Sequence, residues 1–229
     1  MSSTPGLLWV CSKPKSAFSE ADFNTWYTDH HIQHVVDSGL SDLAVRYKNV
    51  NPDAKWPYLA IYRLPDIARL RDEKIVSSIA STHELIPDGA AWSEAIEVDT
   101  RHFILVQKFE GQIPKVGPRG KAMRSILVEP SEGGEVEFDE WYRKQHLDML
   151  SMLPGFRRTT RYELAPDSTA LDNCRYLACH EFDTKDYPSD VIELILGTEW
   201  SKKIMESVKK VVPDVWEEIG CAGNINEKL

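Results

Sequence analysis

"FNTWYTDHH", residues 23–31, and "FDEWYRKQH", residues 138–146, are two versions of one nine-residue phrase, and the fold follows from its occurring twice. Sliding the chain along itself by 115 positions aligns Phe23 with Phe138, Trp26 with Trp141, Tyr27 with Tyr142, His31 with His146, Arg46 with Arg161 and Tyr47 with Tyr162. After a three-residue insertion, "YLA" from Tyr58 matches "YLA" from Tyr176. Tryptophan and histidine are rare, and an ordered series of matches through several elements points to internal duplication rather than to two helices that look alike by chance. Between the copies "GQIPKVGPRGK" places Gly111, Pro114, Gly117, Pro118 and Gly120 in an exposed connector. The boundary is set there, giving units 1–114 and 115–229.

Each half shows the same order of patterns. "GLLWVCS" reads as a short buried strand, Ser19 as the cap of a helix ending near Gly39, "LAVRYKNV" and "YLAIYRL" as strands, "DIARLRDEKIVSSIA" as a helix and "RHFILVQKFE" as a closing strand. The second half repeats this with "RSILVEP", a motif helix over 136–153, "FRRTTRYEL", "RYLACHEF", a helical stretch over 190–212 and a weaker strand near "VWEEIGC". The order β-α-β-β-α-β is a ferredoxin-like α+β unit, an antiparallel sheet with both helices on one face. Two such units bury their bare faces against each other, so tandem ferredoxin-like repeats are expected to close an intramolecular α+β barrel.

Composition narrows the function. A net charge of -9 argues against nucleic acid and anionic membranes as partners, and no run of 18 apolar residues exists to span a bilayer. "MSSTPGLLWV" lacks a basic segment ahead of its short apolar run, and Cys11, Cys174, Cys179 and Cys221 form no C-x-x-C, which together read as a cytoplasmic protein with reduced thiols. Phosphate-loop, dinucleotide and H-E-x-x-H motifs are absent from the sequence.

The pattern F-x-x-W-Y-x-x-x-H on the first helix of each half, followed by a glycine turn and a strand reading "R-Y", resembles the dimeric α/β-barrel superfamily, most closely its EthD-like branch. That resemblance covers nearly the whole chain as two copies. It implies the barrel fold, and a range of chemistry that includes cofactorless monooxygenases, polyketide cyclases, decarboxylases, muconolactone isomerase-like enzymes and haem proteins. The second copy departs from the first in having Gln145 for His30 and Met149 for His34.

On a regular helix Phe23, Trp26, Tyr27, His30, His31 and His34 share one stripe. Three imidazoles on an aromatic face imply a hydrogen-bond network or a pocket, because a dry core leaves their nitrogens unsatisfied. The expected site is therefore in the first half, with His31 as general acid or base, His30 positioning or polarising, Tyr27 binding oxygen, and Phe23, Trp26, His34 and Arg46 contacting substrate. Arg46 is repeated as Arg161, so the two also read as structural ion-pair partners. The counterparts His146, Tyr142 and Trp141 lie on a more apolar stripe, where a weakened or lost site is expected. His30 and His34 could share a metal if Asp29, Asp37 or His180 supplied a third ligand, and the resemblance admits haem; the leading expectation needs neither cofactor nor metal. His102 and His180 lie on strands of undecided facing, and His83 falls in a surface loop. The function expected is a cofactor-independent decarboxylase, dehydratase or cyclase acting on a small apolar oxygenated substrate, aromatic or polyketide-like. A binding protein and a cofactorless monooxygenase are the alternatives. The protein is expected to be a monomer with an internal pseudo-dimer, or a homodimer.

Overall fold

The computed structural model describes residues 3–113, 115–169, 174–186 and 188–229, the side chain of residue 189 excepted. Pro114 of the expected connector lies outside the described residues. Eight strands, β1 (Gly6–Pro14), β2 (Leu43–Asn49), β3 (Tyr58–Leu64), β4 (Ile96–Phe109), β5 (Ala122–Glu129), β6 (Phe156–Leu164), β7 (Tyr176–Phe182) and β8 (Lys210–Gly223), form a closed antiparallel barrel in the order β1-β3-β2-β8-β5-β7-β6-β4. Strands of the first half run β4-β1-β3-β2 and those of the second β8-β5-β7-β6, and β2 with β8 and β4 with β6 join them.

Alternation along the strands makes two environments. Leu7, Trp9 and Cys11 of β1 and Leu177 and Cys179 of β7 point into the barrel, where they pack with Phe103, Met123 and Trp216. The intervening residues face helices: Val10, Ala44 and Ala60 in the first half, Val128 and Ala178 in the second. Inside the barrel, Arg158 meets Glu181 at 3.4 Å and Arg119 meets Glu218 at 3.6 Å, and all four side chains are buried.

Ser19 caps the first motif helix by accepting from the Asp22 amide, and Gly39, at φ 79°, ends it in the left-handed region that glycine tolerates. This helix runs as Glu20–Thr25, a π-helical segment Trp26–His31, and Ile32–Asp37. The second motif helix does the same, with Glu135–Trp141, a π-helical segment Tyr142–His146 and Leu147–Ser151. A π-turn holds one more residue than an α-turn and so rotates everything after it. The buried positions become Phe23, Trp26, Tyr27, His31, Ile32 and Val35 in one copy and Phe138, Trp141, Tyr142, His146, Leu147 and Leu150 in the other. His30 and His34, with Gln145 and Met149, therefore leave the buried stripe where regular helical spacing had put them.

Two further expectations are corrected. The stretch from Asp66 to Ala80 is not one helix: Asp72 adopts an extended conformation, its carboxylate accepts from the Lys74 and Ile75 amides, and the chain divides into a 3-10 helix Ile67–Arg71 and an α-helix Glu73–Ser78. The late helical stretch divides as well, into Ser189–Leu196 and Glu199–Ser207, with Thr198 capping the second, and β8 begins at Lys210 inside the span read as helix.

Candidate functional site

The helix layers of the two halves are filled differently. In the first half His31 is buried against Trp26 at 4.8 Å, Tyr27 at 4.9 Å and Trp92 at 6.0 Å between ring centres, and its Nδ1 has no hydrogen-bond partner among the described residues. Burial, then the fields of His34 and Arg46, lower its pKa to about 4. Tyr27, which burial keeps protonated, is 3.3 Å from the Tyr62 hydroxyl. His30 instead lies half-buried, 4.4 Å from the His83 ring in the 81–86 loop. The structure thus brings Phe23, Trp26, Tyr27 and His31 together as packed rings and leaves His30 and His34 at the edge.

Arg46 is fully buried, its guanidinium 4.6 Å from the Tyr27 ring and 4.9 Å from those of Phe23 and Tyr58. It donates to Thr28 Oγ1 at 2.6 Å and to the Asn24 carbonyl at 3.3 Å, while its Nε and Nη2 have no hydrogen-bond partner among the described residues, and burial lowers its pKa to about 10. Arg161, its counterpart, lies 4.1 Å from the Tyr142 ring and pairs with Asp139 at 2.8 Å. The ion-pair reading fits Arg161 alone, because Asn24 occupies the position of Asp139 in the first copy.

The second half holds open space. A cavity of about 140 Å³ lies between the sheet and the helices Ser189–Leu196 and Glu199–Ser207, with apolar walls from Ile126, Phe138, Leu150 and Ile195. Among the described residues Tyr142, His146, His180 and Arg124 line it with polar side chains. The apolar stripe expected in the second half therefore frames open space, where the first half packs rings.

Each polar group is positioned by the fold. The π-segment delivers His146, whose ring stacks on Trp141 at 4.1 Å; Trp141 is itself held by an indole hydrogen bond to Ser201 Oγ at 3.1 Å. Burial, and then the Arg161 charge, push His146 down to about 3, so its imidazole is neutral at pH 7. His180 stands on the helix-facing side of β7, its Nδ1 hydrogen bonded to Thr159 Oγ1 at 2.8 Å and its ring 6.3 Å from that of His146. Burial lowers its pKa well below the ordinary value. Burial raises Tyr142 to about 12, which keeps the phenol a donor. Arg124 faces the same cavity from β5.

His180 and Arg124 were missed as site residues. The signal was present in strand alternation: His180 shares a face with Ala178 and Phe182, and Arg124 with Ile126 and Val128, all opposite the barrel interior. His102 is elsewhere, with Nε2 2.8 Å from Asp167 Oδ1. Among the described residues no three His, Cys, Asp or Glu side chains converge as metal ligands, so His180 does not join His30 and His34. Haem does not fit the cavity as formed, whose volume is below the roughly 300 Å³ at which pockets for drug-sized ligands begin. The four cysteines form no disulfide among the described residues, and no described helix is long and apolar enough to cross a membrane.

Fold and cavity together define a dimeric-type α/β barrel closed within one chain, and the solved structures of similar shape are dimeric α/β-barrel proteins. An anthrone oxidase-like protein superposes with a TM-score of 0.62 at 11% identity, covering 96% of this chain and 93% of that one. A chlorite dismutase mutant from Candidatus Nitrospira defluvii gives 0.61 at 8% identity, covering 96% and 93%. In sequence the chain is 34% identical over 200 residues to Core atranone cluster protein 1 of Stachybotrys chlorohalonatus (strain IBT 40285), covering 80% of this chain and 84% of the relative. The chain belongs to the family of that protein. No family model matches it.

Proposed function

We propose that the chain is two fused ferredoxin-like units of the EthD-like kind, 1–114 and 115–229, and that the second carries the active site of a cofactor-independent enzyme. Its substrate is a small, largely apolar, oxygenated molecule, aromatic or polyketide-like. The observation that carries this reading is a largely apolar-walled cavity with a neutral imidazole, a protonated phenol and a guanidinium grouped on its lining.

Such a set suits proton transfer next to a carbonyl. Tyr142 and Arg124 hold the oxygen, and His146 takes a proton from the adjacent carbon. The charge that develops on the oxygen favours the imidazolium and lifts His146 from its depressed resting basicity. In dehydration the electron pair expels hydroxide, which takes the proton back from His146 and leaves as water; in cyclisation the pair attacks a second carbonyl, whose oxygen receives that proton. In decarboxylation His146 takes the carboxyl proton instead, carbon dioxide leaves its bonding pair in the enolate held by Tyr142 and Arg124, and His146 returns the proton to that carbon. His180, tied to Thr159, orients the group beside it. His31, His30 and Tyr27, with Phe23, Trp26, His34 and Arg46, are assigned to packing and to completion of the barrel. The relative's name attaches it to an atranone cluster, which fits a role for this chain in secondary metabolism.

The test uses extract from a producing strain that lacks the gene. Purified protein is added and the mixture followed by mass spectrometry. A metabolite that loses carbon dioxide or water, or is isomerised at constant mass, supports the proposal. One that gains oxygen only under air indicates the cofactorless monooxygenase, and one that binds unchanged indicates a carrier; either result overturns it.

A further inference from the structure

The sheet that floors the proposed active site has a second cavity on its other face. It opens at one end of the barrel, has a volume of about 410 Å³, and is lined by Trp9, Trp56, Asp99, Arg101, Lys210 and Asp214 among others. Leu127 and Val212 face it, while Ile126 and Val211 face the helix-side cavity, so the β5–β8 sheet lies between the two spaces, with Pro213 on the lining of both.

The polar groups at this mouth are not equivalent. Arg101 donates from Nε to Asp99 Oδ1 at 3.0 Å and from its terminal nitrogen to the other oxygen; both side chains are buried, so the pair forms a charge-balanced floor. Asp214 keeps unspent capacity. Asn49 Nδ2 donates to one of its oxygens at 2.8 Å, the other makes no hydrogen bond to a described residue, and burial raises its pKa. Lys210 is exposed and four residues away on the same strand, roughly 13 Å at strand rise. Lys55 adds positive charge at the rim, 5.1 Å above the half-buried Trp56 ring. An acceptor, exposed cations and an indole on one lining, with Lys13 also 5.9 Å over the indole ring, suit a ligand with a donor, an anion and a flat apolar body.

We propose that this barrel mouth is a second small-molecule site, for a hydroxylated bicyclic aromatic carboxylate whose rings lie on Trp56, whose hydroxyl donates to Asp214 and whose carboxylate meets Lys210 and Lys55. The site uses no residue of the helix-side polar set and stands whether or not that set is catalytic.

Equilibrium dialysis of the full chain with 6-hydroxy-2-naphthoate tests it. Saturable binding at one probe per chain is expected, weakened roughly tenfold by Trp56→Ala. Asp214→Ala should weaken the hydroxylated probe by a similar factor and leave 2-naphthoate, which lacks the hydroxyl, unchanged. Leu196→Trp, which crowds the helix-side cavity, should leave both unchanged. Absence of saturable binding at millimolar probe overturns the proposal, as does binding abolished by Leu196→Trp and indifferent to Trp56→Ala and Asp214→Ala. Circular dichroism of each variant separates lost affinity from lost fold.

Discussion

Lowering the pH from 7 to 5 should destabilise this protein by an amount that three residues set. His31, His146 and His180 are buried, and burial depresses all three imidazoles, to about 4 for His31, about 3 for His146 and well below the ordinary value for His180. In the unfolded chain each titrates near 6.5. Above that pH both states are neutral, and protonation of the histidines no longer distinguishes them. Below it the unfolded chain binds protons that the folded chain refuses, so stability falls with pH until the folded values are reached. At about 1.36 kcal/mol per pH unit, each residue removes roughly 2 kcal/mol by pH 5, and the three together about 6 kcal/mol. That is a large part of the 5–15 kcal/mol typical of a domain. Urea unfolding of wild type and His146→Gln at pH 7 and pH 5 measures it. The variant should lose about 2 kcal/mol less than wild type across the interval. Equal losses, or a folded-state His146 titration by NMR near 6.5, would refute the buried-neutral assignment.

Other consequences follow from the same packing. Arg158→Met leaves Glu181 buried without its cation and should cost about 3–5 kcal/mol, with most of the loss recovered in the double variant Arg158→Met/Glu181→Leu. Burial raises the Cys11 and Cys179 thiols far above their ordinary value, so native protein at pH 8 should resist iodoacetamide at both, as peptide mass mapping would read, and react at both once unfolded.

Which parts of this were legible in the sequence has a physical pattern. Strands were readable because alternation has a fixed period: "YLAIYRL" coincides with β3 and "FRRTTRYEL" with β6. Pairing of the two halves was readable from the repeat, since a bare sheet face needs a cover. The helix faces were not, because a π-segment inserts one residue without any composition of its own, and that insertion turned His30 and His34 outward. Location of the cavity was illegible for a different reason. Open space depends on how large side chains from distant segments meet, and Trp92 closes over His31 from the start of the short helix Trp92–Ala95, whereas Ile195 and its neighbours stand off from His146. His180 and Arg124 were within reach of strand alternation, but only once the helix-facing side of each strand had been fixed.

The proposed site requires chemistry at His146, in the second of the two similar motifs, and not at His31. Once a converted metabolite is in hand, single-turnover rates of His146→Gln and His31→Gln against wild type decide it most directly. Loss of a general acid or base should lower the rate by about 100-fold or more in His146→Gln, with His31→Gln within a few-fold of wild type. A collapse in His31→Gln with His146→Gln active, both variants being folded, would return the site to the first half and contradict the account.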